Sequence, residues 1–116
     1  MGRIVIVAYR PKPGRQQALE RLMRHHHHRL RNEGLVTERL PALMRATDGT
    51  VVEMFEWISA DAIAAAHRNA AVQAMWREYA EVSDYVPLSE LPETRQLFAE
   101  FEPMQADQDL HPEFSP

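Results

Sequence analysis

Six histidines carry most of the acid–base and ligand chemistry open to this chain, and four are consecutive: His25, His26, His27 and His28. At helical spacing His26 falls at the centre of an apolar stripe formed by Leu19, Leu22, Met23 and Leu30, with His27 at its edge. His25 and His28 turn to solvent, about 60° apart on the same helix. Two histidines at i and i+3 chelate a metal weakly, and a working centre wants a third ligand. No carboxylate or cysteine stands at a spacing that would supply it, so no metal site is expected. His67 follows Ile63 by one helical turn and is expected to point inward. It reads either as a core histidine with a satisfied hydrogen bond or as a pocket base near neutral pH.

Other side chains narrow the chemistry further. Ser59 and Ser83 lack the strand–turn–helix context of an activated serine. Glu53 and Glu56 project to opposite faces of one strand, so they are no catalytic pair. Glu53 shares the face of Phe55 and Trp57 and is read as the partner of an arginine across the sheet or a dimer. There is no cysteine, hence no disulfide framework and no thiolate chemistry. The stretch Val51–Trp76 gathers Phe55, Trp57, His67, Met75 and Trp76. Indole and phenyl walls suit a flat apolar pocket for a planar ligand, or else fill a core. Tyr9 and Arg10 end the first strand and Arg45 ends the second. An arginine at the pocket mouth would hold a phenolate or carboxylate; Arg45 is taken for that role, and Arg10 as a surface charge.

The elements that must position these residues follow from periodicity and turn chemistry. Ile4–Tyr9 is an unbroken, largely β-branched run, read as a strand buried on both faces and stopped by Pro11 and Pro13. A helix is expected from Arg15 to Asn32, closed by Gly34 and Leu35. Pro41–Ala46 and Val51–Ile58 read as strands joined by a hairpin at Asp48-Gly49, the pair supplying the positive φ angles of the turn. Ser59 and Asn69 each cap a short helix. Ser83–Pro92 reads as a loop, Leu97–Phe101 as the last strand, and Met104–Pro116 as a polar tail. The order is β-α-β-β-α-β, the ferredoxin-like arrangement, in one α+β domain over residues 1–103.

At 116 residues the chain is long enough to bury roughly two thirds of its unfolded surface. Hydrophobic residues make up 45% and charged residues 26%, the balance of a globular protein. No apolar run is long enough to cross a membrane, and IVIVAY is too short for a signal peptide, so a cytoplasmic protein is expected. Residues 1–50 hold ten basic and four acidic side chains, against three and thirteen in the remainder. That asymmetry is read as surface complementarity. The net charge of −4 and the lack of a recognised motif argue against a nucleic-acid partner. Helices cover one face of such a sheet. The other would expose Val52, Met54 and Ile58 together with one side of the first strand. An apolar face of that kind is expected to be buried in a homodimer, over about 1,600 Å².

The strand ending F-E-W, the capped A-A-A-H helix, the A-V-Q-A-M-W segment, P-x-P-G before the first helix and F-A-E-F-E-P near the end resemble the antibiotic biosynthesis monooxygenase-like family. That family belongs to the dimeric α+β barrel superfamily, and the resemblance spans nearly all of residues 3–103. It implies a scaffold of two subunits and, in some members, oxygenation of aromatic polyketides with neither metal nor flavin. The substrate anion itself reacts with oxygen, while the protein accepts a proton and stabilises oxyanions. On that reading no cofactor is needed. His67 is the base, Arg45 the anion holder, Trp57 and Trp76 the walls, and Tyr9, His26, Phe55 and Met75 further pocket residues. Haem-degrading relatives use a first-strand asparagine and a helical histidine. Here the first strand has no asparagine and Trp76 stands at the helical position, so haem chemistry is not implied. A non-enzymatic dimeric binding or structural module is the alternative.

Overall fold

The computed structural model describes residues 1–106. Strand β1 (Arg3–Pro11) leads into helix α1 (Gln16–Asn32), then β2 (Ala42–Arg45), β3 (Val51–Trp57), α2 (Ala60–Ala66), α3 (Ala70–Val82) and β4 (Ser83–Val86). Two short 3₁₀ turns, Leu88–Glu90 and Pro92–Arg95, precede β5 (Glu102–Met104). The fold is α+β: one five-stranded sheet, ordered β4-β1-β3-β2-β5, whose neighbours are all antiparallel.

Local chemistry accounts for most of the boundaries. Ser59 and Asn69 accept hydrogen bonds from the N–H groups of Ala62 and Val72, satisfying amides that have no partner inside their helices. After α1, Gly34 adopts φ 72°, and the Leu35 N–H donates to the Leu30 carbonyl at 3.2 Å, which closes the helix and returns Leu35 to the core. In the β2–β3 hairpin only Gly49 takes a positive φ. Asp48 contributes differently from the expectation: its carboxylate accepts the Thr50 N–H at 2.8 Å.

Pleating decides what each strand shows the helices. Val5, Val7 and Tyr9 of β1 pair with Phe55, Glu53 and Val51 of β3. These helix-facing residues pack with Leu19, Met23 and Leu30 of α1 and Val72, Met75, Tyr79 and Val82 of α3. Burial of these side chains is the main stabilising term.

Three expectations are corrected. Ser83–Val86 is a strand rather than a loop, because it pairs antiparallel with β1 from Ala8 to Pro11. Leu97–Phe101 forms no strand; the edge of β2 is taken instead by Glu102–Met104. The sheet thus runs one residue past 103, and the expected tail lies outside the described residues from 107 onward. Nor is β1 buried on both faces within one chain. Its second face is covered at Ala8 by Val52, Ala46 and Leu91, with Leu88 and Phe101 packed against them. Toward the N-terminal end of the strand, Ile4 and Ile6 remain 54% and 49% exposed.

Candidate functional site

The centre of the helix-facing sheet surface holds a carboxylate. Glu53 stands on β3 between Val7 of β1 and Leu43 of β2, and is 1% exposed. Above it α1 presents His26, 2% exposed, with Nδ1 2.7 Å from Glu53 Oε1. The contact has the length of a hydrogen bond without its alignment, and neither atom has another hydrogen-bond partner. The two polar groups thus face each other in a poorly solvated place without a formed hydrogen bond. A carboxylate at this distance stabilises the imidazolium that proton capture would create, and it occupies the Nδ1 side of the ring.

Aromatic rings surround the pair. His26 meets Phe55 edge-on at 5.5 Å between centroids, Tyr79 at 5.2 Å and Tyr9 at 6.0 Å. Phe55 continues to Trp57 at 5.3 Å, and Tyr9 to Tyr85 at 5.1 Å. Beside His26 lies a cavity of about 190 Å³, walled by Tyr9, Phe55, Trp57, Trp76 and Tyr85 and by Val5 and Val7. An apolar cavity of about 150 Å³ is enough for benzene. Tyr85 is 57% exposed, so the cavity opens at the β4 edge. A larger depression lined by Gly14, Gln16, Gln17, Glu20 and Arg45 is polar and open, and offers no comparable enclosure.

The electrostatics of the site are set first by burial and then by the charge of Glu53. Burial, and secondarily the negative charge of Glu53, push the hydroxyls of Tyr9, Tyr79 and Tyr85 above the usual tyrosine range. Tyr79 is also committed locally, donating its hydroxyl proton to the Leu22 carbonyl. His27, next along α1, is 7% exposed and its Nε2 has no hydrogen-bond partner. Burial lowers its pKa, with Glu53 opposing.

Folding therefore favours neutral His27. Its contribution is fully present above the unfolded imidazole pKa of about 6.5. It is lost as pH falls through the folded value, because the unfolded chain takes up the proton first. The urea unfolding midpoint is expected to fall between about pH 7 and pH 5, and His27→Gln to flatten that fall. A variant with the wild-type slope would assign the loss to another group.

Of the residues singled out in the sequence, Tyr9, His26, Phe55, Trp57 and Trp76 come together around this cavity. Three do not. His67 is exposed rather than inward: α2 ends beside it, and its Nδ1 lies 2.9 Å from the Ile63 carbonyl. It touches the site only through Trp76, edge-on at 5.1 Å. Met75 is buried beneath a separate groove between α1 and α3, with Arg29, Asn32 and Glu33. Arg45 points to α1 and pairs with Glu20 at 2.6 Å and with Glu102 at 2.5 Å. Glu53 pairs with a histidine rather than the expected arginine. Its place on the apolar phase of V-V-E-M-F-E-W, matched to His26 on the apolar stripe of α1, is the signal that could have joined them.

Among the described residues no cluster of three or more histidine or acidic side chains is spaced to hold a metal, and no helix is long and apolar enough to cross a membrane. Comparison of the chain with protein-family models, with curated proteins and with solved structures gives no match.

Proposed function

We propose that this chain is a homodimeric protein of the antibiotic biosynthesis monooxygenase-like kind that binds a small planar aromatic compound beside His26, as an oxygenase needing no metal or flavin. The observation that carries the reading is the cleft itself: aromatic walls around His26, whose Nδ1 lies against the buried carboxylate of Glu53. Such a site gives a flat ring apolar contact on several sides and one place to leave a proton. The strand order β4-β1-β3-β2 supports a ferredoxin-like subunit. The uncovered apolar patch on the second sheet face supports pairing of two sheets into a dimeric barrel.

The reading is tested by following dissolved oxygen with a panel of aromatic quinols. Turnover of at least one compound is expected, falling on the order of a hundredfold or more in His26→Ala, since a positioned base contributes about that much. His67→Ala should act weakly, its ring lying outside the cavity. If no compound in the panel is consumed, the oxygenase reading is lost. That outcome would favour a non-enzymatic dimeric binding or structural module, which the tethering of His67 to Ile63 and of Arg45 to Glu20 already supports.

A further inference from the structure

We infer that the groove between α1 and α3 is a binding site for a free α-amino acid with a small aliphatic side chain. The groove encloses about 180 Å³ and shares no lining residue with the aromatic cleft, so the inference stands independently of the reading above. Val72 and Met75 of α3 form its floor, 1% and 2% exposed, and the single methyl of Ala71 leaves it open at the rim. Arg29, Asn32 and Glu33 of α1 make the polar wall.

The two charges of that wall are held apart. Arg29 and Glu33 stand one helical turn from each other, a spacing at which opposite charges commonly pair. Here each turns to a partner outside its own helix. Arg29 Nη2 donates to Glu78 Oε2 at 2.5 Å, and Glu33 Oε1 accepts from Asn69 Nδ2 at 3.0 Å. Neither link exhausts its group, since a guanidinium carries five N–H donors and a carboxylate two accepting oxygens. The result is a cation and an anion set over an apolar floor. Charge complementarity then selects the occupant. A simple carboxylate would meet Arg29 but also face Glu33, and an alkylammonium would meet Glu33 but also face Arg29. A zwitterion satisfies both walls at once: its carboxylate meets Arg29 and the Asn32 amide, its ammonium meets Glu33, and its side chain lies on Val72 and Met75. An apolar cavity of about 150 Å³ holds benzene. The groove therefore takes a branched aliphatic side chain while the two charged groups stay at the mouth. Its lining holds no hydroxyl or imidazole, so the groove binds its ligand without chemistry.

Three probes of one shape separate the terms: L-leucine, 4-methylpentanoate, which lacks the ammonium, and 3-methylbutylamine, which lacks the carboxylate. Each is titrated at about pH 7 into the full chain isotopically labelled at its methionine methyl groups, and followed by NMR. We expect L-leucine to shift the Met75 methyl resonance and to bind at least about tenfold more tightly than either other probe, a difference of about 1.4 kcal/mol. Ala71→Leu, which lays an isobutyl group over the groove, should weaken L-leucine binding at least about tenfold. The fold should survive it, because Ala71 is exposed on a helix and leucine is a good helix former. Glu33→Gln should narrow the margin of L-leucine over 4-methylpentanoate, and Arg29→Gln its margin over 3-methylbutylamine. If either of these two fails to fold, the wild-type ranking and Ala71→Leu still decide. Equal binding of the three probes, or no binding of L-leucine, would overturn the inference. So would L-leucine binding that leaves the Met75 methyl unmoved or that survives Ala71→Leu.

Discussion

Glu53→Ala is expected to cost about 3–5 kcal/mol of unfolding free energy at neutral pH, read from urea denaturation. The substitution strands His26, 2% exposed, with a buried Nδ1 that has lost the carboxylate facing it, and opens a void in the middle of the sheet. His26→Leu/Glu53→Leu should behave differently. Two apolar side chains of similar bulk remove both polar groups at once, and buried ion pairs replaced in this way are often neutral or more stable by about 1–4 kcal/mol. The cycle of two singles and one double should therefore show strong coupling. Small, additive single effects would mean that the two groups are solvated and do not interact. A double variant as stable as the wild type would leave proton chemistry, rather than folding, as the reason for placing a carboxylate at this point.

Ile6→Lys is expected to have the second large effect, on association rather than folding. Ile6 pairs with Met54 across β1 and β3, and these two, with Ile4 and Ile58, leave an apolar patch on the face away from the helices. Their exposures, from 36% to 54%, mean that a lysine at position 6 meets no obstacle within its own chain. Subunit stability should stay within about 0.5 kcal/mol of wild type. In the proposed dimer each copy would bring an unpaired ammonium into an apolar interface. Dissociation should strengthen by at least about a hundredfold, or about 2.8 kcal/mol, measured by sedimentation equilibrium. A wild type that sediments as a single subunit would remove the dimer, and Ile6→Lys would then change nothing.

What could be read from the sequence was set by local physics. β1, α1 and the β2–β3 hairpin announce themselves through period and turn residues, and Ser59 and Asn69 through the amides they satisfy. His26 was placed correctly because one helical stripe fixes it. β4 was illegible for the opposite reason. Ser83-Asp84-Tyr85-Val86 has weak strand propensity, and only its pairing with β1 makes it a strand. Leu97–Phe101 has the composition of a strand, yet the free edge of β2 is met a few residues later. Leu97 and Phe98 stay 92% and 79% exposed. His67 shows the limit of periodicity. Its phase relative to Ile63 is inward, but α2 has only 7 residues and ends before the ring can reach the cavity. Glu53 shows the limit of reading partners by type. An acid on an apolar strand face calls for a counter-charge, and an arginine is the habitual choice, whereas here the facing helix offers imidazole.

The most direct test is a crystal structure of the protein grown with 2-naphthol. The ring should lie between Trp57 and Trp76, beside Phe55, with its oxygen within hydrogen-bond reach of His26 Nε2. A ring bound elsewhere, or a cavity closed by Tyr9 and Tyr85 with the probe absent, would contradict the assignment of this cleft as the functional site.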